Sequence, residues 1–204
     1  MQDQKQPPAK QPPAKQPFVQ DIQKIRERAR KQMSQGAITE SYRADREQVV
    51  KILQEVLATE LVCVLRYKRH YFAAEGIHSE APRQEFLEHA QEEQQHADQV
   101  AERIVQLNGK PDLDPRGLAT RSHAEYVEGT DLTSMIEEDL VAERIAIETY
   151  SEIIRWLGDD DPTTRRMIEE ILEKEEEHAE DLATLLAQMP PREKRPDRSS
   201  HAAD

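Results

Sequence analysis

The chain has one cysteine, six glycines and little aromatic surface, with Phe, Trp and Tyr together making 4% of its 204 residues. A lone Cys63 forms no intramolecular disulfide and supplies no cysteine-based zinc or iron–sulfur site. It fits a reducing compartment, and its expected role is buried packing. The scarcity of glycine and of strand-forming side chains weighs against all-β folds and against glycine-rich nucleotide-binding folds. Long apolar runs are missing as well. Nothing approaches the roughly 20 residues that span a bilayer, and the first 17 residues, nearly all Gln, Pro, Lys and Ala, contain no signal-peptide core. A cytoplasmic protein without a membrane segment is the expectation. Positive charge is the last deficit, with 28 basic side chains against 41 acidic and a net charge of −13.

What is present favours helices: Ala, Leu, Glu, Gln, Lys and Arg dominate, and these are the strong helix formers. Four segments are expected. Residues 1–17 carry the near repeat QPPAK-QPPAK, which has nothing to bury and whose prolines favour a solvated, extended, disordered arm. In residues 18–43, Phe18, Ile22, Ile25, Ala29 and Met33 recur at helical spacing among Lys24, Arg26, Arg28, Arg30 and Lys31, predicting a basic amphipathic helix ended by Gly36, followed by a linker. Residues 44–189 carry four long helical patterns, and the polar, Pro-containing segment 190–204 is a disordered tail. Charge is segregated: up to residue 43 nine basic side chains face four acidic ones, leaving −18 for the remainder.

The four patterns have readable ends. The first runs from about Ala44 to Ala74 before Gly76, and the second from near Pro82, with Ser79 as a cap, to Asn108-Gly109. The third begins near Asp131 or Ser134, where Ser134-x-x-Glu137 matches a capping box, and stops at Gly158. The fourth has Asp161 at its N-cap and Pro162 at its first position, a favoured start, and ends before Pro190. Short turns make each pair antiparallel, whereas 110–130 is long enough to traverse the whole bundle. The expected architecture is therefore an all-α four-helix bundle, up-down-down-up, with one long crossover connection and an extra N-terminal helix.

Each inward stripe is apolar except at its middle. Helix one reads Leu53, Leu57, Glu60, Val64, Tyr67, Tyr71; helix two reads Phe86, Ala90, Glu93, His96, Ala97, Val100. Helix three reads Ile136, Leu140, Glu143, Ile147, Tyr150, and helix four Ile168, Leu172, Glu175, His178, Leu182. Four carboxylates buried together are costly unless a cation compensates them, and no Lys or Arg lies on the stripes at that level. Two divalent metal ions would neutralise them, neutral imidazoles would complete the shell, and the i, i+3 spacing puts Glu and His on one helix face. One Glu from each of two helices, with Glu-x-x-His from each of the other two, is the donor set of bundle di-iron and di-manganese carboxylate sites. Glu75-x-x-His78 is broken by Gly76, and Glu92, Glu176 and Glu177 point off the stripe and read as solvated. Tyr67 reads either as a core aromatic or as a hydrogen-bonding or electron-donating side chain beside the metals.

The segments TELVCVLRY, EEQQHADQVAERIVQLNGKPDL, LVAER and EKEEEHAEDL, in this order, resemble the ferritin-like superfamily, in particular the bacterioferritins, over most of residues 47–187. The resemblance implies terminal iron ligands at Glu60 and Glu143, bridging ligands at Glu93 and Glu175, one iron on each of His96 and His178, and Tyr67 as the nearby tyrosine. It further implies a ferroxidase that oxidises Fe(II) with O2 or H2O2 and stores Fe(III) in an oligomeric shell. Two departures stand out. The bacterioferritin haem ligand, a methionine directly after the helix-two Glu, is replaced by Gln94, so haem is not expected. The family's short fifth helix is also missing, so a 12-subunit shell like that of Dps proteins is weighed equally with a 24-subunit one.

Alternatives from other classes remain open at this level. Glu and His accept iron and manganese alike, so a di-manganese catalase would use similar ligands. Dps-like proteins resemble this chain in carrying lysine-bearing tails that hold DNA phosphates, and Lys5, Lys10 and Lys15 would make such salt-sensitive contacts. Against that stand a −18 body and the simpler reading of a solubilising tail, with the 18–35 helix packed on a neighbouring subunit. A rubrerythrin-like peroxidase is disfavoured, because one Cys cannot build its iron domain.

Overall fold

The computed structural model describes residues 18–190, all of whose regular elements are helical. Helix α1 spans Ile22–Ala29, α2 Arg46–Ala73, α3 Glu80–Gln106, α4 Leu118–Arg121, α5 Leu132–Leu157 and α6 Pro162–Gln188. The arm with Lys5, Lys10 and Lys15 and the tail from 191 lie outside the described residues.

Cap chemistry explains the boundaries. Asp45, Asp131 and Asp161 each accept a backbone N–H at the start of α2, α5 and α6, satisfying donors that a helix start otherwise leaves unpaired. The α5 start corrects the sequence reading: the N-cap is Asp131, and Ser134 is the third helical residue of an Asp131/Ser134 capping box rather than the cap of a box with Glu137. Asp131 wins because it can accept the Ser134 N–H while Ser134 Oγ accepts the Asp131 N–H. Gly158 ends α5 with φ of 49°, a conformation that favours glycine. The N-terminal prediction is also corrected. Helix α1 covers only 22–29 and buries none of its residues, a left-handed Gln32 follows, and Met33–Gln35 forms a separate 3-10 turn. Eight residues without a packed face are too few for a longer helix to propagate.

The pairs Glu60/Tyr150 and Arg66/Asp139 run in opposite directions along α2 and α5, as do His89/Asp181 and Arg103/Thr164 along α3 and α6. With the short turns at 74–79 and 158–161, this gives the up-down-down-up order. The crossover climbs along α2 and is tied to it at successive levels. Gln54 bonds the backbone of Lys110 and Asp112, the Thr59 hydroxyl accepts the His123 N–H, and Arg66 donates to the Glu125 carbonyl. The connection also contains α4 and a 3-10 turn at Pro115–Gly117, which the sequence reading left unstructured.

Two large apolar clusters make up most of the core, with a small third of Ala58, Val62 and Leu118 under the crossover. One cluster gathers Leu53, Leu57, Val100, Ile104, Tyr150 and Ile168, and the other Tyr67, Phe86, Ala90, Ile136 and Leu182. Each fully buried Leu or Ile contributes about 1.5–3 kcal/mol. Between the clusters, at mid-height, lies a layer of acidic and imidazole side chains that this apolar packing must hold in place.

Candidate metal centre

All six stripe residues reach that layer. Glu60 comes from α2, Glu93 and His96 from α3, Glu143 from α5, and Glu175 and His178 from α6. Each is buried. Their donor atoms form two groups of four, Glu60, Glu93, His96 and Glu175 in one and Glu93, Glu143, Glu175 and His178 in the other, each within 4.8 Å. Glu93 and Glu175 belong to both, so they stand where bridging groups would stand, and Glu60 and Glu143 stand at the ends. His96 Nδ1 lies 3.1 Å from Glu175 Oε1 and 3.3 Å from Glu60 Oε2. His178 Nδ1 lies 3.3 Å from Glu93 Oε1 and 3.7 Å from Glu175 Oε2.

The decisive observation concerns atoms without partners. Glu60 Oε2, Glu93 Oε1, His96 Nδ1, Glu143 Oε2, Glu175 Oε1 and His178 Nδ1 are all buried and make no hydrogen bond among the described residues. Buried polar atoms are normally satisfied, and one left alone costs about 1–3 kcal/mol. Six such atoms, one from each of the six residues, converge on one layer. An acceptor-rich, donor-poor cluster of this kind fits divalent cations, which use oxygen and nitrogen lone pairs and need no N–H or O–H.

Outside this set, two tyrosines act reciprocally. The Tyr67 hydroxyl of α2 donates to Glu143 Oε1 of α5, and the Tyr150 hydroxyl of α5 donates to Glu60 Oε1 of α2. Each terminal carboxylate thus has one oxygen tied to a tyrosine and the other facing the centre. Tyr150 had been read only as part of the apolar stripe. The signal was available, because Tyr150 follows Glu143 by the same seven residues that separate Tyr67 from Glu60. Glu92 requires a correction. Read as solvated, it instead places Oε2 2.7 Å from His178 Nε2, since α6 packs close enough for a side chain at the edge of the α3 stripe to reach across. A carboxylate accepts, so Nε2 is the donor there and Nδ1 is the nitrogen turned inward, able to ligate once it gives up its proton.

Electrostatics follow from burial and crowding. Burial, then the Glu93 charge, raises Glu60 to about 8, and the same two causes raise Glu143 and Glu175. Burial also works against ionised Glu93, but its contacts with His178 and His96 prevail and hold it well below the usual range. Burial disfavours protonated His96 and His178, yet their carboxylate neighbours outweigh it and raise them to about 12 and about 9. The set therefore gathers positive charge among its carboxylates, in the form of protons when no metal supplies it. His89, buried against His178, goes the other way: burial and then the His178 charge lower it to about 3. Cys63 is buried beside the layer, and burial raises its thiol well above the ordinary value, so it packs rather than reacts. Gln94, at the expected haem position, spends its amide on Asp98.

A polar network beside the centre was not legible in the sequence. Buried Arg66 donates from Nε to Asp139 Oδ1 at 2.7 Å, and His70 Nδ1 lies 2.8 Å from Asp139 Oδ2. It ties α2 to α5 and, through the Glu125 and Glu128 carbonyls, to the crossover.

The ferritin family, described as a ferritin-like domain, matches residues 50–191. Among curated proteins, a bacterioferritin of Desulfovibrio desulfuricans is 28% identical over 67% of this chain and 73% of its own length. A nutrient stress-induced DNA-binding protein of Nostoc is 32% identical over 68% of this chain and 77% of its own. Among solved structures, the bacterioferritin-related protein of Bacteroides fragilis, a dodecameric thioferritin, is 33% identical with a TM-score of 0.69, covering 71% of this chain and 88% of that one. Dps from Thermosynechococcus elongatus superposes with a TM-score of 0.67 over 70% of this chain and 92% of that one, at 23% identity, which is a likeness of fold.

Proposed function

The chain belongs to the ferritin-like family, and on that premise we propose that it is a ferroxidase that oxidises Fe(II) with O2 or H2O2 at the layer inside the bundle and sequesters Fe(III) in an oligomeric shell. The observation that carries the reading is the convergence of six unpartnered donor atoms in two groups sharing Glu93 and Glu175. Iron is the substrate: two Fe(II), one H2O2 and two protons give two Fe(III) and two waters, or with O2 two Fe(III) and one H2O2. Glu93 and Glu175, common to both donor groups, would be shared by two ions, His96 and His178 would hold one each, and Glu60 and Glu143 would close the ends. Tyr67 and Tyr150 fix the terminal carboxylates, and Glu92 fixes the His178 ring. The apolar clusters on both sides bury the layer, and low solvent exposure strengthens each charge interaction within it. The acidic body attracts Fe(II).

Assembly into a shell, of 12 or 24 subunits, is supported by apolar side chains that a single bundle leaves in water: Leu65 and Phe72 on α2, Val141 and Trp156 on α5, and Phe18, Val19, Ile22 and Ile25 at the N-terminus. Such surface marks protein contacts. One relative of known structure is a dodecamer.

The test is ferric absorbance after mixing metal-free protein with Fe(II) and each oxidant. Rapid oxidation in the native chain and buffer-like rates in Glu93→Ala support the reading. Equal rates in the two proteins overturn it, and vigorous O2 release from peroxide by the manganese-loaded protein would replace it with a catalase. A second reading, DNA protection, is favoured by the names of relatives from Nostoc and Pyrococcus furiosus and by the basic N-terminal charge. It predicts DNA retardation that salt abolishes and that disappears when Lys5, Lys10 and Lys15 become alanine.

A further inference from the structure

One turn outside the central layer, α3 and α6 bring together a separate donor cluster. Glu85 and His89 stand at i and i+4 on α3, Asp181 faces them from α6, and one donor atom from each lies within 4.8 Å of the others. The His89 side chain is 2% exposed, whereas those of Glu85 and Asp181 are 34% and 49% exposed. The imidazole is therefore embedded in the bundle while its two carboxylate neighbours open to solvent.

The hydrogen-bond pattern fixes how the ring is used. Tyr67 Oη donates its one proton to Glu143 Oε1, so the hydroxyl accepts from His89 Nδ1, 3.2 Å away. A ring that donates from Nδ1 carries a lone pair on Nε2. That nitrogen lies 3.6 Å from Glu85 Oε2 and 3.9 Å from Asp181 Oδ2, too far for a hydrogen bond to either. Three acceptors thus converge with no donor between them, an arrangement that repels itself until a cation enters.

We propose that Glu85, His89 and Asp181 form a third divalent-cation site, an outer station that takes Fe(II) from solvent before it reaches the central pair. The inference rests on the di-metal reading, since an outer station needs a central pair to supply. One imidazole and two carboxylates suit Fe(II), Mn(II), Co(II) and Zn(II), and the solvent-open side leaves room for waters to complete the shell. Location supports the role. The His89 ring stacks on His178 with centroids 4.0 Å apart and planes 21° from parallel, so an ion on His89 Nε2 is one imidazole away from the ligand that receives it. Asp181 follows His178 by three residues and His89 precedes Glu93 by four, which places the outer donors on the helix faces that carry the inner ones.

The test uses the full chain stripped of metal and titrated anaerobically with Co(II), which binds like Fe(II) but is not oxidised by the site. Bound cobalt is counted after equilibrium dialysis and located by anomalous scattering in crystals grown from the same samples. Three ions per native chain, one of them between Glu85, His89 and Asp181, with two ions in the double variant Glu85→Gln, Asp181→Asn, support the outer site. Glu93→Ala should keep the outer ion and lose the central ones. Two central ions in both the native and the double-variant chains overturn the outer site while leaving the di-metal reading intact. A native chain with no ion in the central layer contradicts the di-metal reading and leaves the outer ion no central pair to supply, which also overturns the proposal.

Discussion

At the residue scale, the side chains that would hold iron are distinct from the side chains that hold those ligands in place. Tyr67 and Tyr150 each occupy one oxygen of a terminal carboxylate, so Tyr67→Phe and Tyr150→Phe should still bind two central ions. Each should oxidise Fe(II) about 10–100-fold more slowly, the usual cost of losing a partner that orients a ligand. Stopped-flow ferric absorbance beside metal counting distinguishes this from plain loss of binding. Glu92→Gln should behave more mildly, because an amide oxygen can still accept from His178 Nε2. The six central residues were legible because each interrupts an otherwise apolar stripe, so burial and charge conflict visibly. Their supports were less legible for different reasons. Tyr150 looked like ordinary core, Glu92 reaches the site only because α6 packs against α3, and His89, on the helix face of Glu93, gains its partner Asp181 only from another helix.

At the element scale, helix ends and interhelical ties determine whether the layer stays in register. Asp161 caps α6 through the Thr164 N–H and hydroxyl, accepts from Tyr42, and pairs with Arg103 at 2.9 Å. Burial pushes its carboxyl up, but these bonds outweigh burial and leave it lowered. A carboxyl lowered by folding adds stability that is fully present above the unfolded value near 4 and is lost as pH falls through the folded one. Thermal unfolding followed from pH 6 to pH 2 should therefore show an acid limb that is shallower in Asp161→Ala. At pH 7 that variant should lose about 3 kcal/mol or more, from the missing cap and the stranded Arg103. Asp139→Ala should cost about 3–5 kcal/mol in denaturant titrations, because it leaves Arg66 as a buried unpaired charge. The long helices and the crossover followed from stop signals and linker length. The capping register at Ser134 and the extent of α1 did not, since the first turned on a choice between two adjacent cap-forming side chains and the second on packing that the described residues do not supply.

At the scale of the whole molecule, the exposed apolar positions on α2, α5 and the N-terminal segment are the surfaces that the proposed shell would cover. Sedimentation of the native chain should give a closed shell of 12 or 24 subunits, and Phe72→Glu with Trp156→Glu should shift it toward smaller species while the far-ultraviolet helix signal stays unchanged. A native chain that sediments as a monomer would contradict the storage part of the account. The charge division, +5 up to residue 43 and −18 beyond it, was readable directly, because net charge needs no fold. Which faces would meet in a shell was not, because such contacts depend on a second copy and not on the pattern of one chain.

The most direct measurement is the break point of the rapid ferric absorbance phase as anaerobic, metal-free protein is loaded with increasing Fe(II) and then mixed with H2O2. The account predicts a rapid phase that grows to two irons per chain, stops growing there, and is absent from Glu93→Ala. A rapid phase with no break at two, or one that survives in Glu93→Ala, would contradict a shared-carboxylate iron pair at the centre of the bundle.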